Sequence, residues 1–328
     1  MDLLAPRLYC VVDLVSMKKL LVIVGPTGTG KTALGLELAK KFNGDIVSAD
    51  SRQIYIGMDL GTGKIDRRSK ISDVRKEEGK WVVDGIPIYL YDLIAPDKTF
   101  SVAEYQQQAY KAIDEIHEKN KLPILVGGTG LYVQAVVEGL KIPKVAPDKN
   151  LRAQLESQPL PTLLSKLEEA DPVTASKIDK QNPRRVIRAL EVYYQTGEPL
   201  SKLQGKFKVG FDSLQIGLTA PRDYLYQRTD QRIEEWFKEG FVEEVKSLLK
   251  KGYDENLPAM TSLGYRQVSM YLAGKIPLEE AKQRIKWEHH SYIRRQTTWF
   301  RKMQGIHWCD IGGKNFQQEI FRQVNDWL

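Results

Sequence analysis

From Lys19 to about Leu140, short apolar runs alternate with stretches of helical period. KLLVIV, Lys19 to Val24, reads as a buried strand, and Thr32 to Phe42 has the spacing of a helix. DIVSAD, ending at Asp50, reads as a second strand, and PIYLYDLI, Pro87 to Ile94, as a third. Ser101 to Lys119 predicts a helix opened by a capping box, with Ser101 as N-cap and Glu104 three residues on. LPILVGGTGLY reads as another buried strand that runs into glycines. Strand alternating with helix predicts an α/β fold whose parallel sheet is covered on both faces.

Near residue 141 the pattern changes. KIPKVAPDKN is a linker bearing Pro and Lys, and from Leu151 to Thr196 only helical patterns follow. Asn182-Pro183 opens one helix and Gly197 closes it. Between Gly205 and Pro221 a strand returns, LQIGLT, and the chain beyond is mostly helical to about Met303. The simplest account is a discontinuous α/β core, 17–140 and 213–328, with an all-helical domain, 141–212, inserted into it. Residues 1–16 lack the basic start and continuous apolar core of a signal peptide, and Met17 reads as the natural beginning after an extension.

Composition narrows the class. The 328 residues are 42% hydrophobic and 28% charged, as in an ordinary globular protein. No apolar run approaches the ~18 residues of a membrane span. Cys10 and Cys309 form no CxxC pair, which argues against a disulfide scaffold or zinc module and suits a reducing cytoplasm. A net charge of +7 fits either an anionic partner or plain solubility, so clustering must decide.

The chemistry begins at GPTGTGKT: Gly25, Pro26, Thr27, Gly28, Thr29, Gly30, Lys31 and Thr32. This matches GxxxxGK[ST], follows a strand and opens a helix, as a phosphate loop requires. Its amides can turn inward as an anion nest, and the helix N-terminus adds a positive dipole end. Lys31 brings a point charge, and the Thr32 hydroxyl can ligate Mg²⁺. Such a loop recognises a pyrophosphate-like group, not a nucleoside. The usual second element of an ATPase is a strand ending in a carboxylate. PILV ends instead in Gly127-Gly128-Thr129, whereas DIVSAD ends in Asp50. Asp50 therefore either supports a metal or serves a different chemistry.

Six motifs in order carry a resemblance: GPTGTGKTALGLELA, SADSRQIYIGMDLGTGK, LVGGTGLY, NPRRVIRALEVY, SLGYRQ and RRQTTWFRK. From about Lys18 to Trp308 the chain resembles the bacterial tRNA dimethylallyltransferases of the IPP transferase family. No Cys/His pair follows the core, so the zinc-finger extension of eukaryotic relatives is absent from the sequence. A monomer is expected, and the resemblance implies that the donor is dimethylallyl diphosphate, with Mg²⁺ as cofactor. The exocyclic amine of adenosine 37 of tRNA attacks C1 of the donor, and pyrophosphate leaves. The phosphate loop then holds the donor's diphosphate.

An adenine amine is a poor nucleophile, so it needs a stabilised leaving group and a base. Asp50, at the end of a strand expected next to the phosphate-loop strand, is placed for the base, because strand ends in an open parallel sheet converge on one crevice. Thr129 is the second polar contact to the adenosine, and Ser51, Arg52 and Gln53 join the tRNA contact through the same motif. Arg232 resembles the family position that reaches the donor pyrophosphate. The residues alone leave Arg228 and Arg232, four apart on a helix, as a surface pair with Glu235 or Asp230.

Three basic clusters suit the anticodon stem-loop. Arg184, Arg185 and Arg188 lie on the inserted domain, with Arg152 as a further candidate. TSLGYR offers Thr261, Gly264, Tyr265 and Arg266. In SYIRRQTTWFRK, Arg294, Thr298 and Arg301 line one stripe, with Arg295 and Lys302 beside it and Gln296 and Trp299 in the same run. Cations read a backbone and aromatics stack splayed bases. Each run alone also fits a solvated face, and Trp299 also fits a core. His289-His290 reads as structural. A stacked target base must be extruded to reach a buried diphosphate, at a cost of about a few kcal/mol. The inserted domain is then expected to grip the stem.

Competing readings are an AMP prenyltransferase, a P-loop nucleoside kinase, and an NTP-switched RNA-binding protein. The basic helices count against the first two. The missing carboxylate after PILV counts against the third.

Overall fold

The computed structural model describes residues 17–64 and 71–328. The expected extension, 1–16, lies outside the described residues. In chain order the first elements are β1 (Lys18–Val24), α1 (Lys31–Lys41), β2 (Gly44–Ser48), β3 (Val74–Glu77), β4 (Lys80–Val83), β5 (Ile86–Tyr89), α2 (Val102–Glu118), β6 (Leu122–Gly127) and α3 (Gly130–Val137). The middle of the chain gives β7 (Leu140–Lys141), α4 (Lys149–Glu156), α5 (Leu160–Ala170), α6 (Pro172–Lys177), α7 (Pro183–Thr196), α8 (Leu200–Leu203) and β8 (Gly205–Lys206). It closes with β9 (Phe211–Thr219), α9 (Arg222–Lys238), α10 (Phe241–Lys250), α11 (Tyr265–Leu272), α12 (Leu278–Lys302), β10 (Ile306–Asp310) and α13 (Phe316–Trp327).

Eight strands form one sheet in the order β10-β9-β1-β6-β2-β5-β4-β3, so β6 separates β2 from β1 and the strand leading to Asp50 is not next to the phosphate-loop strand as expected. From β10 to β5 every pairing is parallel. Successive side chains of a strand point to opposite faces, and β1 shows the consequence. Leu20, Val22 and Val24 join the cluster under α2 and α3, while Leu21 and Ile23 join the one under α1 and α13. The continuous apolar run of β1 is thus explained by cover on both faces. The capping box of α2 forms as its sequence predicts.

The third strand is shorter than its apolar run. β5 ends at Tyr89, because Leu90 and Asp92 take left-handed backbone angles. Ile94 returns only as one bridge to Tyr55. Two strands escaped the sequence reading: β4 and β3 extend the sheet antiparallel beyond β5. Their signal was Asp84-Gly85, both left-handed, a two-residue turn of the hairpin kind between Val83 and Ile86. β10 was also missed, since five residues at an edge carry little periodicity.

Helices α4 to α8 pack around their own apolar cluster, which includes Leu155, Leu163, Leu167, Val186 and Leu190. The antiparallel pair β7-β8 ties the two ends of this segment at its neck. A further cluster joins Ile54, Tyr55 and Met58 to α9, α10, α11 and α12. Among the described residues no helix is long and apolar enough to cross a membrane.

Candidate active site and nucleic-acid interface

The site is built where β1, β2 and β6 end. The loop leaving β1 turns through Gly28 and Gly30, both left-handed, and α1 starts at Lys31. Gly25 and Pro26 are buried at its root. Thr29 Oγ1 and Lys31 Nζ each donate 2.9 Å hydrogen bonds to the Pro26 carbonyl.

Past the formal ends of β2 and β6 the two chains stay in register. Ala49 N donates to Val126 O at 2.8 Å, and Thr129 N donates to Ala49 O at 3.1 Å. A Cβ on Gly127 would sit 2.1 Å from Ala49 O, which explains glycine there. Asp50 and Thr129 are thereby brought side by side. Thr129 Oγ1 accepts from Ser51 N at 3.0 Å, and Asp50 Oδ1 accepts from Arg52 N at 2.9 Å. The latter is an Asx turn that fixes the carboxyl on its own backbone.

Lys31, Thr32, Asp50, Arg52, Arg232 and Tyr292 line one cavity of about 590 Å³. Burial raises the Asp50 carboxyl above its usual range, against the Arg52 amide and the charge of Lys31. Burial pulls Lys31 down to about 8, opposed by Asp50 and assisted by Arg232. His289 is pushed down to about 4 by burial, so at neutral pH it is uncharged. Its Nδ1–H then donates to Ile285 O at 2.8 Å. Arg232 donates to Gly63 O at 3.2 Å, and Gln53 Nε2 reaches the same carbonyl at 3.2 Å. Lys64 is wholly buried on Asp59 and Asp92, which pins this loop below Arg232.

The Thr32 hydroxyl and the Asp50 carboxyl are hard oxygen donors, of the kind Mg²⁺ prefers. Among the described residues no group of three or more His, Cys, Asp or Glu side chains could hold a metal. An Mg²⁺ here fits only if most of its ligands come from diphosphate oxygens and water.

A second cleft, of about 800 Å³, opens between α12 and the start of α7. Arg294, Thr298, Trp299 and Lys302 line it from α12, and Arg185 from the insertion. Arg295 lines both the cavity and the cleft. Thr261 joins the wall of the first. Arg184, Arg266 and Arg301 are exposed without lining either space.

Five expected RNA contacts are engaged elsewhere. Arg152 and Arg188 both bind the buried Glu191 carboxylate, Arg152 at 2.8 and 2.9 Å and Arg188 at 2.6 Å. Burying a carboxylate demands such partners, and the shared helical face of Arg184 and Arg188 did not reveal it. Tyr265 is core, with its hydroxyl on Glu244, and Gly264 is buried before it as the N-cap of α11. Gln296 is only 4% exposed, and its amide enters the phosphate loop rather than the cleft. Asp230 pairs with His290 at 2.8 Å.

The sequence reading missed Tyr292, Trp236 and Gly63 as cavity wall. It also missed Trp287, 60% exposed on α12. Trp287, Ser291, Arg294 and Thr298 are spaced by four, three and four, so they share one face. That spacing was visible, but nothing marked the face as exposed.

The family model described as IPP transferase matches residues 53–303. A tRNA dimethylallyltransferase of Thermomicrobium roseum is 43% identical over 311 residues, spanning 94% of this chain and 91% of that protein. One from Dehalococcoides mccartyi is 45% identical, spanning 94% and 92%. The crystal structure of the full-length tRNA isopentenylpyrophosphate transferase from Bacillus halodurans has a TM-score of 0.67 at 38% identity, covering 94% of this chain and 95% of that one. A eukaryotic dimethylallyltransferase captured acting on tRNA has a TM-score of 0.76 at 27% identity, covering 94% and 79%.

Proposed function

The chain belongs to the IPP transferase family of tRNA-modifying prenyltransferases, and from that premise we propose that it moves a dimethylallyl group from dimethylallyl diphosphate to N6 of adenosine 37 in tRNA. The observation that carries this reading is the single cavity shared by the phosphate loop and Asp50, with Arg295 lining both it and a cleft bordered by Arg185, Arg294 and Lys302. An anion site and a proton acceptor face one space, and cations border the cleft beside it.

The diphosphate lies against the loop amides, Lys31 and Arg232. Their positive charge takes up the negative charge that builds on the leaving pyrophosphate. Mg²⁺, held through Thr32 and diphosphate oxygens, supplies further charge neutralisation when bound. Asp50 accepts the proton of the adenine amine as the C–N bond forms and the C–O bond to diphosphate breaks. Its raised pKa suits it to this. Thr129 orients the Ser51 segment beside the adenine and offers its hydroxyl to it. The target base leaves its stack to enter, and Arg185, Arg294 and Lys302 hold the RNA backbone outside. An enzyme with this substrate works in the cytoplasm.

Single-turnover transfer tests the reading. Protein, Mg²⁺ and labelled dimethylallyl diphosphate are mixed with an unmodified anticodon stem-loop, and label is expected on N6 of adenosine 37. Label on AMP but not on RNA, or hydrolysis of ATP, would overturn it.

A further inference from the structure

Gln296 lies on the RNA-facing helix α12, yet its side chain turns inward. Its Oε1 accepts from Thr27 N at 2.9 Å and from Thr27 Oγ1 at 3.2 Å. Its Nε2 donates to Gly128 O at 2.9 Å. Only one orientation of the amide satisfies both ends, because Thr27 N needs an acceptor and Gly128 O a donor. Thr27 belongs to the loop after β1, and Gly128 follows β6. One side chain therefore fastens the diphosphate loop to the segment that carries Thr129. Thr129 in turn holds Ser51 N, next to Asp50. The fit is tight: a Cβ on Gly128 would lie 2.4 Å from Gln296 Nε2.

We propose that Gln296 is a positioning residue, which sets the register between the donor's diphosphate and the base-bearing side of the cavity. The inference rests on the transfer reaction proposed above. In that reaction the attacked carbon hangs from a group held by one segment, while the nucleophile is placed by another. A displacement of about 1 Å between such segments can cost on the order of 100-fold in rate. Neither segment need lose its own ligand, so the effect belongs to the chemical step and not to binding.

The test uses Gln296→Leu, which keeps the volume and removes both hydrogen bonds, and Gln296→Glu, which keeps the acceptors. Single-turnover rates are measured at saturating donor and stem-loop. Affinities for the stem-loop and for Mg²⁺-pyrophosphate are measured separately. For Gln296→Leu the rate is expected to fall about 10- to 100-fold, with both affinities within about threefold of the parent. A protonated carboxyl again offers one acceptor and one donor. The rate of Gln296→Glu relative to the parent at the same pH is therefore expected to climb as pH falls. A Gln296→Leu rate within about threefold of the parent overturns the proposal. So does a loss of pyrophosphate affinity as large as the loss of rate, which would make Gln296 a plain stabiliser of the loop. If Gln296→Leu does not fold, a pH-independent ratio for Gln296→Glu overturns it. Failure of the parent to modify RNA is a different result and strikes at the transfer reaction itself.

Discussion

The ammonium of Lys31 and the carboxyl of Asp50 line one cavity, and each steadies the charged form of the other. Burial works against both charges and outweighs the attraction in each case. The pair is held ready for chemistry at some expense to the fold.

The pH dependence follows with a definite sign. Lys31 in the folded protein loses its proton near pH 8, against 10.5 ordinarily. Affinity for Mg²⁺-pyrophosphate is expected to weaken as pH rises through about 8. Asp50 has its pKa above 3.8, so the acid limb of the transfer rate is expected above the ordinary carboxylate range. A pH profile of single-turnover rate and of pyrophosphate affinity checks both limbs.

Asp50→Asn removes the base and keeps the shape. The chemical step is expected to slow by roughly 10²- to 10⁴-fold, with RNA binding retained. The linkage sign adds a second outcome. With its pKa raised, Asp50 binds its proton more tightly in the folded state, so its ionisation at neutral pH costs stability. The variant is therefore expected to melt higher at pH 7. Transfer at near the parent rate would return Asp50 to a structural or metal-supporting role.

Arg232 is held over the loop by the Gly63 carbonyl. A charge-assisted contact to diphosphate is worth roughly 1.5–3 kcal/mol. Arg232→Ala should raise the donor KM by about 10- to 100-fold and leave RNA affinity unchanged. Equal losses in both affinities would count against a donor contact.

In the insertion, Glu191 is fully buried and bonded to Arg152, Arg188 and the Asp148 amide. Burial works to raise its pKa, but the hydrogen bonds from the two arginines and the Asp148 amide, with the arginine charge, together outweigh it, and the net shift is downward. Its contribution is thus present above the ordinary pKa of 4.5 and lost as pH falls through the folded value. Glu191→Ala leaves two part-exposed arginines and the Asp148 amide without their carboxylate and should cost about 1–3 kcal/mol, read by denaturant melts.

On the outer face of α12, Trp287 and Arg294 should act on RNA differently. Stacking contributes roughly 1–3 kcal/mol per base, so Trp287→Ala should weaken stem-loop binding without changing its salt dependence. Arg294→Ala should lower the log–log salt slope by about 0.7. Filter binding across a salt series separates the two, and identical curves for parent and Trp287→Ala would remove the stack.

The sequence by itself determined the α/β alternation, the phosphate loop and the placement of Asp50 at a strand end. Each is local: a run of apolar residues, a glycine spacing, a cap. Local order of this kind is written in neighbouring residues and survives without knowledge of the fold. The edge strands β3 and β10 were faint because they carry few buried positions, and β4, though mostly buried, is only four residues long. Only the tertiary structure decided what the long polar side chains do. Arg188 and Arg184 share a helix face in the sequence, yet one binds a buried carboxylate and the other faces solvent. Gln296 sits in a run of cations on α12, yet it bonds to a loop 269 residues away. A charged or amide side chain takes its partner from whatever the packing brings within about 3 Å, and that neighbour is set by the fold and not by the adjoining sequence.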